Sequence, residues 1–164
     1  MENAKNDIRE KFIKRCIELA DESSSAGDLP FGSLVACGSK IIAESINTAI
    51  AENDITGHAE INAIKKALAL DPDIDFSKCS LYSNFEPCAM CAFIARDVGI
   101  GEVVFAVPSP HIGGYSRWDI LNNKNLLPYF TARNYSVPPK IVGGVLENSA
   151  RQIFDRLGFK IHKK

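Results

Sequence analysis

Apolar residues recur at helical spacing through Ile8, Phe12, Cys16 and the Leu19/Ala20 pair, and Asp7 with Glu10 matches a capping box ahead of that stripe. The pattern predicts a first helix from Asp7 to about Ser23. Residues 23–30 read as a loop by composition. Residues 33–37 and 41–47 predict two short strands, joined around Gly38-Ser39-Lys40 as a hairpin. A connection over 49–57 leads to His58-Ala59-Glu60, which opens a second helical run. In that run Ile61, Ile64, Leu68 and then Ala63, Ala67, Leu70 recur until Asp71-Pro72 ends it. Residues 79–84 predict a third strand, delivering the chain to a helix that begins at Cys88 and stops near Val98-Gly99. Residues 102–107 are apolar enough for a strand buried on both faces. A fifth strand over 141–146 and an amphipathic helix over 148–157, stopped by Gly158, complete the pattern.

After the opening hairpin, helix and strand alternate. That order predicts an α/β fold with a mixed or parallel sheet of five strands covered by helices on both faces. No internal repeat, low-complexity tract or linker interrupts it, so the 164 residues are expected to form one domain. No apolar run approaches the ~20 residues of a membrane span. The polar first ten residues carry no signal-peptide core, which leads to the expectation of a cytoplasmic protein with no membrane partner. Lys plus Arg number 19 against 20 acidic residues, a net charge of −1, so there is no global basic field for a polyanion.

The five cysteines are Cys16, Cys37, Cys79, Cys88 and Cys91. An odd count in a chain of this kind argues against a disulfide framework and for metal or redox chemistry at one pair. Cys16 and Cys37 sit in apolar stretches and read as core residues; Cys79 has no assignment. Glu86-Pro87-Cys88-Ala89-Met90-Cys91 carries the pair. Thiols three apart share a helix face, Pro87 suits a first helical position, and a helix start favours thiolate. His58 supplies a third ligand and Glu60 an acid–base group. Residues two apart diverge on an ideal helix, so both reach one ion only if it lies off the helix's N-terminal end. His, Cys and Cys with a fourth position open to water is the catalytic zinc pattern; structural zinc takes four protein ligands, for which His111 or Cys79 would have to compete. The plainer readings are a redox pair at the cysteines, an exposed first-turn carboxylate at Glu60 and a solvated loop histidine at His111.

H-x-E followed by P-C-x-x-C resembles the zinc deaminase signature. The intervals from Asn47 to His58 and from His58 to Cys88 are similar to those of bacterial tRNA adenosine deaminases and guanine deaminases. These are groups within the cytidine deaminase-like superfamily. The resemblance runs from about Asp7 to Val107. It implies a three-layer α/β/α fold with a central mixed sheet, Zn2+ as cofactor held by His58, Cys88 and Cys91, and a homodimer. It also implies a mechanism. Zinc acidifies a water, Glu60 accepts the proton, hydroxide attacks the carbon bearing an exocyclic amine, and Glu60 returns protons as ammonia leaves.

Three further positions follow from the same resemblance. Asn47 matches a substrate-contacting asparagine, though its residue type also suits a turn. The Ala59 N–H would hold substrate. Pro30-Phe31-Gly32 resembles the P-F-G of guanine deaminases, with Phe31 either stacking on a base or packing in the core. The segment 108–139 departs from the family pattern. It holds His111, Gly113-Gly114-Tyr115-Ser116-Arg117-Trp118 and an expected short helix over 119–127, suited either to closing over a planar substrate or to packing.

Three functions compete. A hydrolytic deaminase of a free nucleobase or nucleoside stands first. A tRNA adenosine deaminase forming inosine at the wobble position stands second, drawing on Arg151, Arg156, Lys160, Lys163 and Lys164 as phosphate contacts. A zinc-containing binding protein without catalysis stands third.

Overall fold

The computed structural model describes residues 2–126 and 137–159. Its elements are α1 (Glu2–Ser25), β1 (Gly32–Cys37), β2 (Lys40–Ile46), α2 (Ala59–Leu70), β3 (Cys79–Phe85), α3 (Ala89–Val98), β4 (Glu102–Val107), β5 (Lys140–Gly143) and α4 (Glu147–Arg156). The five strands form one mixed sheet in the order β2-β1-β3-β4-β5. β1 runs antiparallel to β2 and β3, whereas β3, β4 and β5 are mutually parallel. β2 therefore points the same way as β3, so the C-terminal ends of β2, β3 and β4 meet the N-terminal end of β1 at one edge. Crevices at that edge of an α/β sheet are the usual place for a ligand.

Strand alternation sorts the core into two layers. Val35, Leu81, Val103 and Phe105 face α2 and α3, where they meet Ala63, Ile64, Ala67, Ala92 and Ala95. Leu34, Ala36, Tyr82, Val104 and Ala106 face α1 and α4, against Phe12, Ile13, Cys16, Ala150 and Phe154. The three-layer α/β/α arrangement is thus a consequence of period two in the strands and period 3.6 in the helices. Among the described residues, no helix is long and apolar enough to cross a membrane.

The structure departs from the sequence expectations at four places. Helix α1 starts at Glu2, not at Asp7, so the Asp7/Glu10 pair lies inside a helix and caps nothing. Cys37 and Cys79, expected as a core residue and an unassigned one, form a disulfide: they sit opposite each other where β1 meets β3, with Cα atoms 4.2 Å apart. Pro87 precedes the helix cap instead of occupying the first helical position, because Cys88 is itself the cap of α3. The helix expected over 119–127 is a series of turns through its described part, residues 119–126. Two features prevent the helix. Asp119 adopts a left-handed conformation (φ 53°), and Arg96 of α3 takes the carbonyls of Ile120, Leu121 and Asn123, which a helix would need for its own ladder.

Candidate metal centre

Helices α2 and α3 both begin at the ligand edge of the sheet, and each is capped by a candidate ligand. His58 caps α2 and Cys88 caps α3, both in extended backbone, and neither side chain is spent on a capping hydrogen bond. This answers the geometric difficulty of His58 and Glu60 lying two apart. A cap residue is not on the helical spiral, so its side chain leaves in its own direction while Glu60, at the second helical position, points inward. Cys91 lies one turn into α3 and is fully buried.

The three donor atoms form a small triangle. Cys88 Sγ and Cys91 Sγ are 3.6 Å apart, and His58 Nδ1 lies 3.6 Å from Cys88 Sγ and 3.4 Å from Cys91 Sγ. Tetrahedral zinc, with bonds of about 2.3 Å to sulfur and 2.0–2.1 Å to nitrogen, requires S···S near 3.8 Å and S···N near 3.6 Å. The triangle therefore fits one face of a zinc tetrahedron. Among the described residues, this trio is the one such cluster with all donor atoms within 4.8 Å of each other. Cys79 is excluded as a fourth ligand by its disulfide, and His111 lies on an exposed loop outside the cluster. Among the described residues, no further side chain joins these three donors.

Proton chemistry at the triangle is set by proximity. A hydrogen bond from the Cys91 thiol, resisted by burial and helped by His58, brings the Cys88 thiol down to about 4. The same hydrogen bond, together with burial and the nearby Glu60 carboxylate, pushes Cys91 well above an ordinary thiol. His58 is raised, chiefly by its contact with Cys88. Without metal, the two sulfurs thus share one proton.

Glu60 is buried and reaches toward the same point, its Oε2 3.6 Å from Cys91 Sγ. Ser83 on β3, also fully buried, donates to Glu60 Oε1 at 3.3 Å and fixes the carboxyl plane. Burial raises the Glu60 pKa above the usual carboxylate range. A carboxyl whose proton affinity is raised by burial is better suited to accept a proton and pass it on, the property a proton shuttle needs.

The remaining sequence candidates fall at the same edge. Asn47 follows β2 and is buried; its neighbour Thr48 donates its N–H to the Gly57 carbonyl at 2.8 Å, next to His58. Ala59, at the first position of α2, is fully buried, and a first-turn N–H has no acceptor within its own helix. Phe31 stacks at tilted angles on Phe85 and Phe154, with ring centroids 5.5 and 5.8 Å away, which places its ring in the aromatic layer beneath α4.

Two buried acidic residues beside the site escaped the sequence reading. Glu86, part of the motif but given no task, is buried and accepts the N–H groups of Ser109 (2.6 Å), Tyr115 (3.0 Å) and Ser116 (2.7 Å). It ties the segment after β4 to the cysteine helix, where Gly113 also pairs with Cys88 in an isolated bridge. Asp28, in what read as a plain loop, is buried beside Asn47. Its one signal was an acidic residue just ahead of Pro30-Phe31-Gly32. Arg117 and Trp118 are exposed on the tethered segment, with the guanidinium 5.1 Å from the indole centroid.

The cytidine and deoxycytidylate deaminase zinc-binding region matches residues 6–107 of the chain. Guanine deaminase of Bacillus subtilis (strain 168) is 42% identical over 83 residues, covering 50% of this chain and 53% of that protein. A tRNA-specific adenosine deaminase of Haemophilus influenzae is 33% identical over 102 residues, covering 62% of this chain and 59% of that protein. The match thus spans between half and three-fifths of these two relatives. Among solved structures, a tRNA deaminase acting on A34 at the wobble position has a TM-score of 0.76 at 23% identity, covering 87% of this chain and 98% of that one.

Proposed function

The chain belongs to the cytidine and deoxycytidylate deaminase zinc-binding family, and from that premise we propose that it is a hydrolytic deaminase of a free nucleobase or nucleoside. The observation that carries the reading is the buried Glu60 carboxyl beside the His58, Cys88, Cys91 triangle. Zinc held by His58, Cys88 and Cys91 would supply the Lewis acidity that makes water a nucleophile at neutral pH. The chain's own residues supply the rest. Glu60 takes one proton from the attacking water and gives it to the ring nitrogen as the C–O bond forms, then takes the proton of the new hydroxyl and gives it to the exocyclic amine as the C–N bond breaks and ammonia leaves. Ser83 keeps the carboxyl oriented through both transfers. Asn47 and the Ala59 N–H hold the base in plane beside Glu60.

A small substrate is supported by the fate of the cationic residues near the C-terminus. Arg151 is paired with Glu147 at 2.8 Å, and Arg156 is paired with Asp21, so both already have anionic partners. Lys160, Lys163 and Lys164 lie outside the described residues. The 42% identity with a guanine deaminase favours guanine within the small-substrate class. A wobble-adenosine reading keeps the support of its own relatives and is the second reading.

Ammonia release at fixed salt tests both, comparing the wild type with Glu60→Ala on guanine, cytosine, adenine, their nucleosides and a tRNA bearing a wobble adenosine. Turnover of one small compound, lost in the variant, is the expected result. Activity on the tRNA alone, falling steeply as salt rises, would transfer the assignment to the second reading. One zinc per chain with no turnover anywhere would favour a binding protein. Family resemblance also leads us to expect a homodimer, which light scattering on the zinc-loaded protein checks.

A further inference from the structure

Asn47 is almost entirely enclosed at 2% exposure, and most of its polar atoms are already engaged. Its N–H donates to the Phe31 carbonyl at 3.0 Å, its carbonyl accepts from Ser23 Oγ at 3.2 Å, and its Nδ2 donates to Asp28 Oδ1 at 2.6 Å. Among the described residues, Oδ1 alone has no partner. An asparagine amide can present either end to a neighbour, so its direction is decided by what it faces. It faces a carboxylate, which only accepts. The NH2 group must turn toward Asp28, and the carbonyl oxygen must turn away.

We propose that Asp28 is a positioning residue that locks the Asn47 amide with Oδ1 toward the substrate, so that this subsite takes a hydrogen-bond donor, a ring N–H or a hydroxyl, and rejects an acceptor. The inference rests on the reading of Asn47 as a substrate contact. Asp28 is itself held rigidly. Its Oδ2 accepts the N–H groups of Ile50 and Ala51, each at 2.9 Å, and its Oδ1 also accepts that of Leu29 at 2.7 Å. Burial would raise its pKa, but the N–H of Ala51, the Asn47 amide and the N–H groups of Leu29 and Ile50 together hold it below the usual aspartate range. The group is therefore an ionised acceptor throughout the neutral range. A donor aimed at a buried acceptor already oriented for it binds without reorganisation, and an acceptor placed there leaves two lone pairs opposed.

The test exchanges the two ends of the pair in the zinc-loaded full-length protein, with guanine as the probe. Asp28→Asn keeps an oxygen for Ile50 and Ala51 but sets an NH2 group against Asn47 and the Leu29 N–H, so the Asn47 amide inverts and turns its own NH2 toward substrate, while the loss at Leu29 is common to the single and the double exchange below. kcat/KM is expected to fall roughly 10- to 100-fold, with the larger part in KM. The double exchange Asp28→Asn/Asn47→Asp restores an oxygen toward substrate with the same total charge, and most of the loss should be recovered. Asp28→Asn within twofold of wild type would overturn the proposal. So would a double exchange no better than the single one, which would leave Asp28 acting through charge or loop structure. Asn47→Ala with unchanged kcat/KM would instead remove the Asn47 reading beneath it. An independent measurement needs no variant to turn over substrate. The Asn47 side-chain amide protons of the wild type should exchange slowly in an NMR experiment, and fast exchange would also overturn the proposal.

Discussion

At the scale of single residues, the metal centre is governed by where one proton sits. Cys88 is a thiolate at neutral pH, whereas Cys91 and, in part, His58 hold theirs because each faces a negative neighbour. Both groups have raised pKa values in the metal-free fold, so protons compete with zinc below those values and the competition fades as pH rises. Zinc uptake is therefore expected to release at least one proton and to strengthen by about tenfold per pH unit across the neutral range. Titrating the metal-free protein with zinc against a chelator at several pH values measures this, and a flat profile would contradict the assignment of the shared proton. The ligands themselves were legible in the sequence because their chemistry is tied to local spacing. Asp28 was not, since a buried acid next to Asn47 depends on two loops meeting.

At the scale of elements, the placing of caps and tethers matters more than helix propensity. His58 and Cys88 can face one ion because they end extended segments and begin helices, which leaves their side chains outside both spirals. Glu86 then couples the cysteine helix to the segment after β4. Glycine at 113 is required there, since a Cβ would meet the Glu86 carboxylate and the Ser109 carbonyl, and at Gly114 it would meet the Ala92 methyl group. Glu86→Ala leaves three backbone N–H groups without their acceptor, and a destabilisation of at least about 2 kcal/mol is expected. Urea unfolding measures the loss, and hydrogen exchange at Ser109, Tyr115 and Ser116 should rise above that of β4. Unchanged exchange at those amides would show that Glu86 does not hold the segment.

At the scale of the whole molecule, the disulfide closes a long stretch of chain at the end of β1 and β3 opposite the metal centre. Cys37 and Cys79 are 42 positions apart, so the bond removes much freedom from the unfolded chain and is expected to contribute about 2–4 kcal/mol. Cys37→Ala/Cys79→Ala should lower the urea midpoint accordingly while zinc content and kcat/KM stay near wild type. A variant that loses zinc in step with stability would show that the two ends of the sheet are coupled.

Local pattern carried the order of the elements and the spacing that brings His58, Glu60, Cys88 and Cys91 into one reading. These follow from period two, period 3.6 and the reactivity of His, Cys and Glu at fixed local spacing. The fourth strand is the clearest case, since 102–107 was readable from the apolar run that follows Glu102. Which distant groups meet was set by packing. The Cys37–Cys79 pair depends on the register of two strands, and the turns after Asp119 depend on Arg96 claiming their carbonyls. The Asp28–Asn47 pair depends on a loop folding back beside β2. Each is a long-range contact whose partner is chosen by packing, and local pattern carries no record of it.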